Sequence, residues 1–173
     1  MLYKKIYRIE SSRLKEWDYS ENGYYFVTIC TKGKKCLFGK VNDGKMYLSE
    51  IGKMVAKEWK KTEKIRKNVK LDQWIIMPNH LHGIIIIRNN NVETFWNNSN
   101  ICTKNVANLS SIIRGFKSAV TKSVYNLGYS NFSWQSRFYD HIIRNEKYLL
   151  KIREYIINNT IKWELDEYNP KNS

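Results

Sequence analysis

The first part of the chain shows strand-like runs followed by one amphipathic helix pattern. β-Branched and aromatic residues dominate positions 24–31, which is typical of a buried strand. Asp43 and Gly44 then separate two short runs, and this pair favours a tight hairpin turn. Over 50–66 the apolar residues recur at helical spacing after a capping Ser49, which predicts a helix with a lysine-rich outer face.

Two aliphatic runs occupy the middle of the chain, at 69–78 and 80–88. Pro78 and Asn79 between them are typical turn residues, so the runs form either hairpin neighbours or one kinked strand. Their aliphatic density predicts a central place in a sheet. Residues 89–105 are polar and rich in asparagine with no period, which predicts a flexible surface loop.

The last part of the chain predicts two helices with a strand between them. Apolar spacing over 106–128 indicates a helix that Gly128 ends, and the pattern over 132–144 is typical of a strand. Asn145 then caps a final helix over 146–163.

The order of these elements predicts an α+β fold. A strand, a hairpin, a helix, two strands, a helix, a strand and a helix give mostly antiparallel pairs with helices against one sheet. We therefore expect a ferredoxin-like antiparallel sheet with helices packed on it. No internal repeat or linker divides residues 1–173, which predicts a single domain.

The charge balance favours a nucleic acid over a membrane as the binding partner. The chain has 30 lysines and arginines against 16 acidic residues, a formal net charge of +14 spread along its length, which favours a nucleic acid. No apolar run is long enough to span a bilayer and no basic helix has a purely apolar opposite face, so no membrane partner is expected. The N-terminus lacks the apolar core of a signal peptide and the three cysteines lack metal-type spacing, which predicts a reduced, cytoplasmic protein.

His80 and His82 stand two residues apart at the start of the second aliphatic run. In a strand they project from one face while Leu81 points the other way, so two imidazoles converge on one point. Such a pair can bind a metal ion. The spacing equally fits two structural histidines whose ring nitrogens bond backbone carbonyls.

The final helix carries polar groups on its apolar stripe. The stripe consists of Tyr148, Ile152, Tyr155, Ile156 and Asn159. A buried hydroxyl or amide without a hydrogen-bond partner costs about 1–3 kcal/mol. We therefore expect polar groups opposite this face of the helix, and the histidine pair can provide them. Alternatively, Tyr155 is a core aromatic residue whose hydroxyl reaches the rim.

Six segments of this sequence stand together in the order found in REP-associated tyrosine transposases. They are YYFVTICT, CLFG, MPNHLHGIIII, GFKSAVTK, WQSRFYDHIIRN and IREYIINN. The chain resembles this family, which belongs to the HUH single-tyrosine nucleases, from about Tyr24 to about Trp163. The resemblance implies a fold of the HUH-nuclease type.

The resemblance also implies roles for individual residues. His80 and His82 match the metal-binding HUH motif, Tyr155 matches the nucleophile, and Asn159 matches a third metal ligand. Relatives among insertion-sequence transposases often carry glutamine at that last position. Mg²⁺ or Mn²⁺ is the implied cofactor, although two imidazoles alone suit Zn²⁺ as well. His141 is a candidate for an extra ligand, a proton shuttle or a structural hydrogen bond.

The implied activity is metal-dependent cleavage and transfer of single-stranded DNA that folds into hairpins, such as repetitive extragenic palindromes. Attack by Tyr155 gives a 5′-phosphotyrosine and a free 3′-hydroxyl. Two alternatives stay open: a hairpin-binding protein that does not cleave, and a metal-dependent nuclease with a histidine base and no covalent intermediate. A homodimer is also considered, because related enzymes place the tyrosine helix against their own sheet or a partner's.

Basic and aromatic residues in the second half are candidates for DNA contacts. They are Arg114, Lys117, Trp134, Arg137 and Arg144. The basic side chains can neutralise phosphates, and a tryptophan beside them can stack on bases. A solvated helix face and a buried core tryptophan explain the same residues equally well.

Overall fold

The computed structural model describes residues 18–89 and 108–172, which form six strands and three α-helices. In chain order they are β1 (Gly23–Cys30), β2 (Gly39–Asn42), β3 (Lys45–Leu48), α1 (Glu50–Ile65), β4 (Val69–Ile76), β5 (His80–Ile87), α2 (Leu109–Asn126), β6 (Tyr139–Ile143) and α3 (Glu146–Ile157). Short 3₁₀ turns lie at Lys32–Lys34, Trp163–Leu165 and Pro170–Asn172. Residues 90–105 of the predicted surface loop fall outside the described residues.

Four strands form one antiparallel sheet in the order β4-β5-β1-β6, and β2 pairs with β3 in a separate hairpin. The sheet confirms the predicted α+β, ferredoxin-like class. The two aliphatic runs are hairpin neighbours rather than one kinked strand, because β4 and β5 pair antiparallel. β5 lies between β4 and β1, which confirms the central place predicted for the second run. The same prediction is wrong for the first run, because β4 lies at the edge of the sheet. Its apolar residues pack against helices α1 and α3 on the two faces rather than between two strands.

The alternation of side chains along the strands divides the apolar residues between two faces. The main core lies between one face and helices α1 and α2; it includes Val27, Ile85, Trp59, Ile112 and Phe116. A smaller cluster lies between the other face and α3; it contains Phe26, Ile84, Ile143 and Ile156. The sheet is therefore covered on both sides, by α1 and α2 on one face and by α3 on the other.

The predicted helix caps are present. Ser49 Oγ accepts a hydrogen bond from the backbone N–H of Gly52 at 3.1 Å, at the start of α1. Asn145 Oδ1 accepts one from the backbone N–H of Tyr148 at 3.0 Å, at the start of α3. Each cap satisfies one of the donors that the first helical turn leaves unpaired.

The final helix is shorter than predicted. α3 ends at Ile157 instead of extending through residue 163. Asparagine and threonine favour the helix less than the residues before them, because their side chains compete for the backbone, and both follow Ile157. Tyr148 was also predicted to face the sheet, but it is 53% exposed because it lies in the first turn, beyond the apolar cluster.

The strand predicted over 132–144 is likewise shorter, because the strand itself spans only Tyr139–Ile143. Before it, Trp134 makes an isolated bridge to Thr31. Phe132 and Trp134 belong instead to the main core and its margin. Burial of these rings, rather than ladder pairing, accounts for the apolar pattern before Tyr139.

Within the described ranges no helix is long and apolar enough to cross a membrane.

Gly83 leaves room for a tryptophan ring against the sheet. A Cβ at this position would lie 2.6 Å from Cζ2 of Trp59, which is closer than carbon atoms pack. We expect Gly83→Ala to lower the free energy of unfolding by about 1–3 kcal/mol through overpacking. Urea unfolding of the purified chain measures the change.

Gly23→Ala is the matched control for this substitution. The added methyl group would meet Tyr25 at 3.6 Å, an ordinary contact distance. We expect its urea midpoint to stay close to that of the wild type. Equal loss of stability in both variants would contradict the close contact with Trp59.

Candidate active site

Two histidines lie side by side on the central strand. His80 pairs with Cys30 and His82 with Thr28 across the neighbouring strand β1, so both imidazoles project from the face that α3 covers. Both side chains are buried, with 0% and 1% of their surface exposed. Their Nε2 atoms are 3.0 Å apart. The rings thus converge on one point.

The Nδ1 atom of each ring has a separate side-chain partner. His80 Nδ1 lies 2.8 Å from Asn79 Oδ1, and His82 Nδ1 lies 2.9 Å from Thr28 Oγ1. Neither partner is a backbone carbonyl, so the alternative of two carbonyl-bonded structural histidines does not describe this pair. The arrangement leaves both Nε2 atoms facing the same small volume.

Burial keeps the two imidazoles neutral. It lowers the pKa of His82 to about 3. Burial also lowers the pKa of His80 well below its ordinary value of 6.5, and the nearby charges of His82 and Lys34 act in the same direction. Near pH 7 each ring therefore carries one proton and one lone pair, which is the form that binds metal ions.

Helix α3 brings a tyrosine to the histidine pair. The phenolic oxygen of Tyr155 lies 3.2 Å from His82 Nε2, and its ring is edge-on to Phe26 with 6.2 Å between centroids. Tyr155 is 41% exposed, so it faces both the pair and solvent.

An ion pair fixes helix α3 against the sheet. Arg153 Nε donates to the two carboxylate oxygens of Asp72 on β4, at 3.1 and 3.2 Å. This ion pair anchors α3 on the sheet of its own chain.

The surroundings hold the phenol in its protonated form. Burial raises the pKa of Tyr155, and the charge of Asp166 raises it further. A hydrogen bond from the side chain of Asn159 acts in the opposite direction and lowers it. The Asn159 Oδ1 atom is itself buried and has no hydrogen-bond partner within the described residues. A buried amide oxygen of this kind is suited to a cation.

Asp166 is a site residue that the sequence did not reveal. One of its carboxylate oxygens and one ring nitrogen each of His80 and His82 lie within 4.8 Å of one another. Burial raises the pKa of this carboxyl group. No local motif marks Asp166, because it follows the last helix in a segment without periodicity.

The C-terminal segment, residues 158–172, lies against the histidine pair. The Tyr168 ring is 4.6 Å from the His80 ring between centroids, and Trp163 is 6.2 Å from it. The Tyr168 carbonyl accepts a hydrogen bond from Asn79 Nδ2 at 2.7 Å. These contacts hold the segment in place and so position Asp166.

The donor set fits a divalent cation. His80 and His82 supply neutral ring nitrogens, Asp166 supplies a carboxylate oxygen, and Asn159 carries a buried amide oxygen with no partner in the described chain. Mixed nitrogen and oxygen ligands are used by several divalent metals, so the set does not distinguish among them. Of these residues, His80, His82 and Asp166 lie close enough together to hold a metal ion.

Comparison with known proteins places the chain in a family. It is 39% identical over 168 residues to an uncharacterized protein of Haemophilus influenzae, covering 94% of this chain and 93% of that protein. This chain belongs to the same family as the Haemophilus protein. No family model matches the present chain.

A solved structure shows which fold this family has. The structure of a REP-associated tyrosine transposase bound to a REP hairpin aligns with a TM-score of 0.58 at 22% identity, covering 88% of this chain and 74% of that one. This chain therefore has the fold of a REP-associated tyrosine transposase, as its sequence motifs indicated. A Deinococcus radiodurans structure with a TM-score of 0.48 and 10% identity is too distant to support an argument.

His141 lies away from the ligand cluster. It is exposed on the edge strand β6, opposite Phe26, and its ring is 6.4 Å from that of Tyr148. The group of side chains that can hold a metal contains Asp166 rather than His141. A catalytic role for His141 stays a prediction.

Two of the proposed DNA contacts lie on α2, across the sheet from the histidines. Arg114 is exposed there. Lys117 Nζ instead donates to the carbonyl of Gln135 at 2.7 Å, with the next two carbonyls at 3.5 and 3.4 Å, and burial lowers its pKa to about 8. Trp134 packs against the core and its Nε1 donates to the Lys117 carbonyl at 3.1 Å. These contacts give Lys117 and Trp134 structural roles.

Arg137 and Arg144 flank β6, the edge strand next to β1. Both are exposed. DNA binding by these residues stays a prediction.

Mild acid is expected to destabilise the fold through the histidine pair. The pKa of an imidazole is near 6.5 in the unfolded chain, whereas that of His82 is about 3 in the fold and that of His80 is well below 6.5. Between these values the unfolded state binds more protons. The free energy of unfolding therefore falls as the pH falls below 6.5, by up to about 1.4 kcal/mol per pH unit for each histidine. Urea unfolding from neutral to mildly acidic pH measures the slope.

Two variants separate this effect from other titrations. His82→Asn removes one buried imidazole and is expected to reduce the slope. His141→Gln removes an exposed histidine but keeps both buried imidazoles, so it is expected to keep the slope that they produce. A slope that His82→Asn does not alter would contradict the assignment.

Proposed function

We propose that this protein is a metal-dependent endonuclease and strand transferase of single-stranded DNA, with Tyr155 as its nucleophile. The observation that carries the proposal is the 3.2 Å distance between the Tyr155 hydroxyl and His82 Nε2, within a buried histidine pair. A phenol that is half-exposed beside metal-type ligands can receive a phosphate from solvent. The fold shared with a REP-associated tyrosine transposase supports the same chemistry.

The reaction is a transfer of the phosphoryl group to tyrosine. The Tyr155 oxygen forms a bond to the phosphorus while the bond between phosphorus and the 3′ oxygen breaks. The phenolic proton passes to solvent, and the freed 3′-hydroxyl takes up one proton, so the reaction is balanced. The DNA remains attached as a 5′-phosphotyrosine. Attack by a 3′-hydroxyl on this linkage reverses the step and rejoins a strand without an external energy source.

His80, His82 and Asn159 are proposed to hold a divalent metal ion, with Asp166 as a further ligand. A bound cation would polarise the scissile phosphate and offset the charge that develops on its oxygens. The resemblance to REP-associated tyrosine transposases favours Mg²⁺ or Mn²⁺, and both ions accept oxygen ligands such as these two. The protein's own contribution is to keep both imidazoles neutral and the ligands in one place.

The proposed substrate is DNA that folds into a hairpin with an unpaired flank. The net charge of +14 favours a polyanion. The structural neighbour was solved with a REP hairpin, which supports a hairpin ligand for this chain as well. An unpaired flank is favoured because Tyr155 can reach a phosphate most easily where bases are not stacked in a duplex.

Replacement of the nucleophile tests the mechanism. We expect Tyr155→Phe to lose all strand cleavage and all covalent adduct, because no oxygen remains to attack the phosphorus, while hairpin binding stays within a few-fold of the wild type. The assay mixes protein with end-labelled single-stranded hairpin DNA and Mn²⁺, followed by a denaturing gel. A shifted band that protease removes marks the phosphotyrosine.

Tyr148→Phe is the matched control on the same helix, since Tyr148 is an exposed tyrosine in the first turn. We expect it to cleave like the wild type. Cleavage by Tyr155→Phe without an adduct would favour the histidine-base nuclease instead. Hairpin binding by the wild type without any cleavage would favour the non-cleaving alternative.

Metal binding is tested separately from DNA. We expect Asp166→Asn to weaken Mn²⁺ binding by about 10-fold or more, because a neutral amide is a poorer ligand than a carboxylate for a hard cation. Titration of metal-free protein with Mn²⁺, followed by electron paramagnetic resonance, measures the dissociation constant. The neighbouring Glu167→Gln removes the same charge from an exposed position and is expected to have little effect. Equal weakening by both would indicate a general charge effect.

A further inference from the structure

Asn79 is buried at the turn between β4 and β5, with 0% of its surface exposed, immediately before His80. Its side-chain nitrogen donates two hydrogen bonds, to the carbonyl of Lys34 at 2.9 Å and to that of Tyr168 at 2.7 Å. Backbone carbonyls only accept hydrogen bonds. The two acceptors therefore fix the orientation of the amide, with its nitrogen towards them and its oxygen towards His80.

The fixed amide determines which nitrogen of His80 carries the proton. Asn79 Oδ1 can only accept, so His80 Nδ1, 2.8 Å away, must be the donor. A neutral imidazole has one N–H, so His80 Nε2 carries the lone pair. That lone pair points to His82 Nε2 at 3.0 Å.

His82 has a partner of a different kind. Its Nδ1 lies 2.9 Å from the hydroxyl of Thr28, which can donate or accept. Two bare lone pairs 3.0 Å apart repel, so without a cation His82 Nε2 carries a hydrogen and Thr28 donates to Nδ1. The Tyr155 oxygen, 3.2 Å from His82 Nε2, then faces this N–H as a second acceptor. With a cation on both Nε2 atoms, the hydrogen of His82 must lie on Nδ1, and Thr28 accepts it.

We propose that Asn79 is a positioning residue that holds His80 in its metal-binding tautomer, and that Thr28 allows His82 to change tautomer when a cation binds. The inference rests on the proposed metal site and goes beyond it by naming the residues that set the protons. The tautomer of His80 is thus fixed in the form that binds a metal ion, whereas the tautomer of His82 can change.

Nitrogen NMR of the full ¹⁵N-labelled chain tests the tautomers directly. In metal-free protein we expect His80 protonated on Nδ1 and His82 protonated on Nε2. Addition of Zn²⁺, used as a diamagnetic probe, is expected to leave His80 unchanged and to move the His82 proton to Nδ1. His80 protonated on Nε2 in the metal-free chain, or His82 unchanged in the Zn²⁺-bound chain, would overturn the inference.

Variants of Asn79 separate tautomer control from simple anchoring of the turn. Asn79→Ala removes the acceptor and is expected to weaken Mn²⁺ binding about 10- to 100-fold, as second-shell changes do. Asn79→Asp keeps an acceptor for His80 but loses both donors to the carbonyls. We expect it to retain the His80 tautomer and to bind Mn²⁺ within a few-fold of the wild type. A purely structural role for Asn79 predicts equal damage from both substitutions, and that result would overturn the inference.

Thr31→Val serves as the control for the same turn. The Thr31 hydroxyl lies 2.8 Å from the Lys35 carbonyl and 3.2 Å from the Asn79 carbonyl, so it supports the turn without touching an imidazole. We expect unchanged tautomers and unchanged Mn²⁺ affinity. If Asn79→Ala does not fold, the tautomers of the wild type and of Asn79→Asp still decide the matter. A wild type that binds no Mn²⁺ would contradict the proposed metal site, whereas normal binding with the wrong His80 tautomer would contradict the inference alone.

Discussion

The pairing register between β1 and β5 is the constraint on which the candidate site depends. It places Thr28 opposite His82 on one face of the sheet, while Ile29 and Leu81 meet on the other face within the core. A slip by one residue would turn every side chain of β5 to the opposite face and bury both imidazoles among aliphatic side chains. The residues that differ between the two faces oppose such a slip, because it would also remove Gly83 from the position where it makes room for Trp59. The register between β1 and β5 therefore determines where the two imidazoles point.

One cause, exclusion of water, acts in opposite directions on the groups around this pair. It lowers the pKa of His80 and His82 and raises that of Tyr155 and Asp166. Each shift favours the uncharged form. A cation among these ligands would favour the charged forms of the phenol and the carboxyl group instead. The proposed reaction therefore depends on the two positive charges of a divalent cation, which would offset the effect of burial on these groups.

Local patterns in the sequence were sufficient for the sheet, the caps and the two imidazoles, because strand alternation and capping act over a few residues. Asn159 was assigned through the resemblance to a family, and it lies beyond the end of α3 rather than within the helix. Asp166 was missed, since its proximity to the histidines comes from the path of the C-terminal segment and not from spacing. Trp134 illustrates the same limit, because its surroundings are set by residues distant in sequence. Asn79 was recognised as a turn residue, but the donors and acceptors around it arise from tertiary contacts.

The close approach of the Trp59 ring to the backbone at Gly83 has a consequence for how the family can diverge. The two positions divide one fixed volume between a helix and the central strand. A homologue that acquires a side chain on the strand must carry a smaller one on the helix, and the reverse exchange is equally restricted. Neither amino acid has to be invariant by itself, but the sum of their sizes does, so compensating pairs of substitutions are the evolutionary record that this contact would leave.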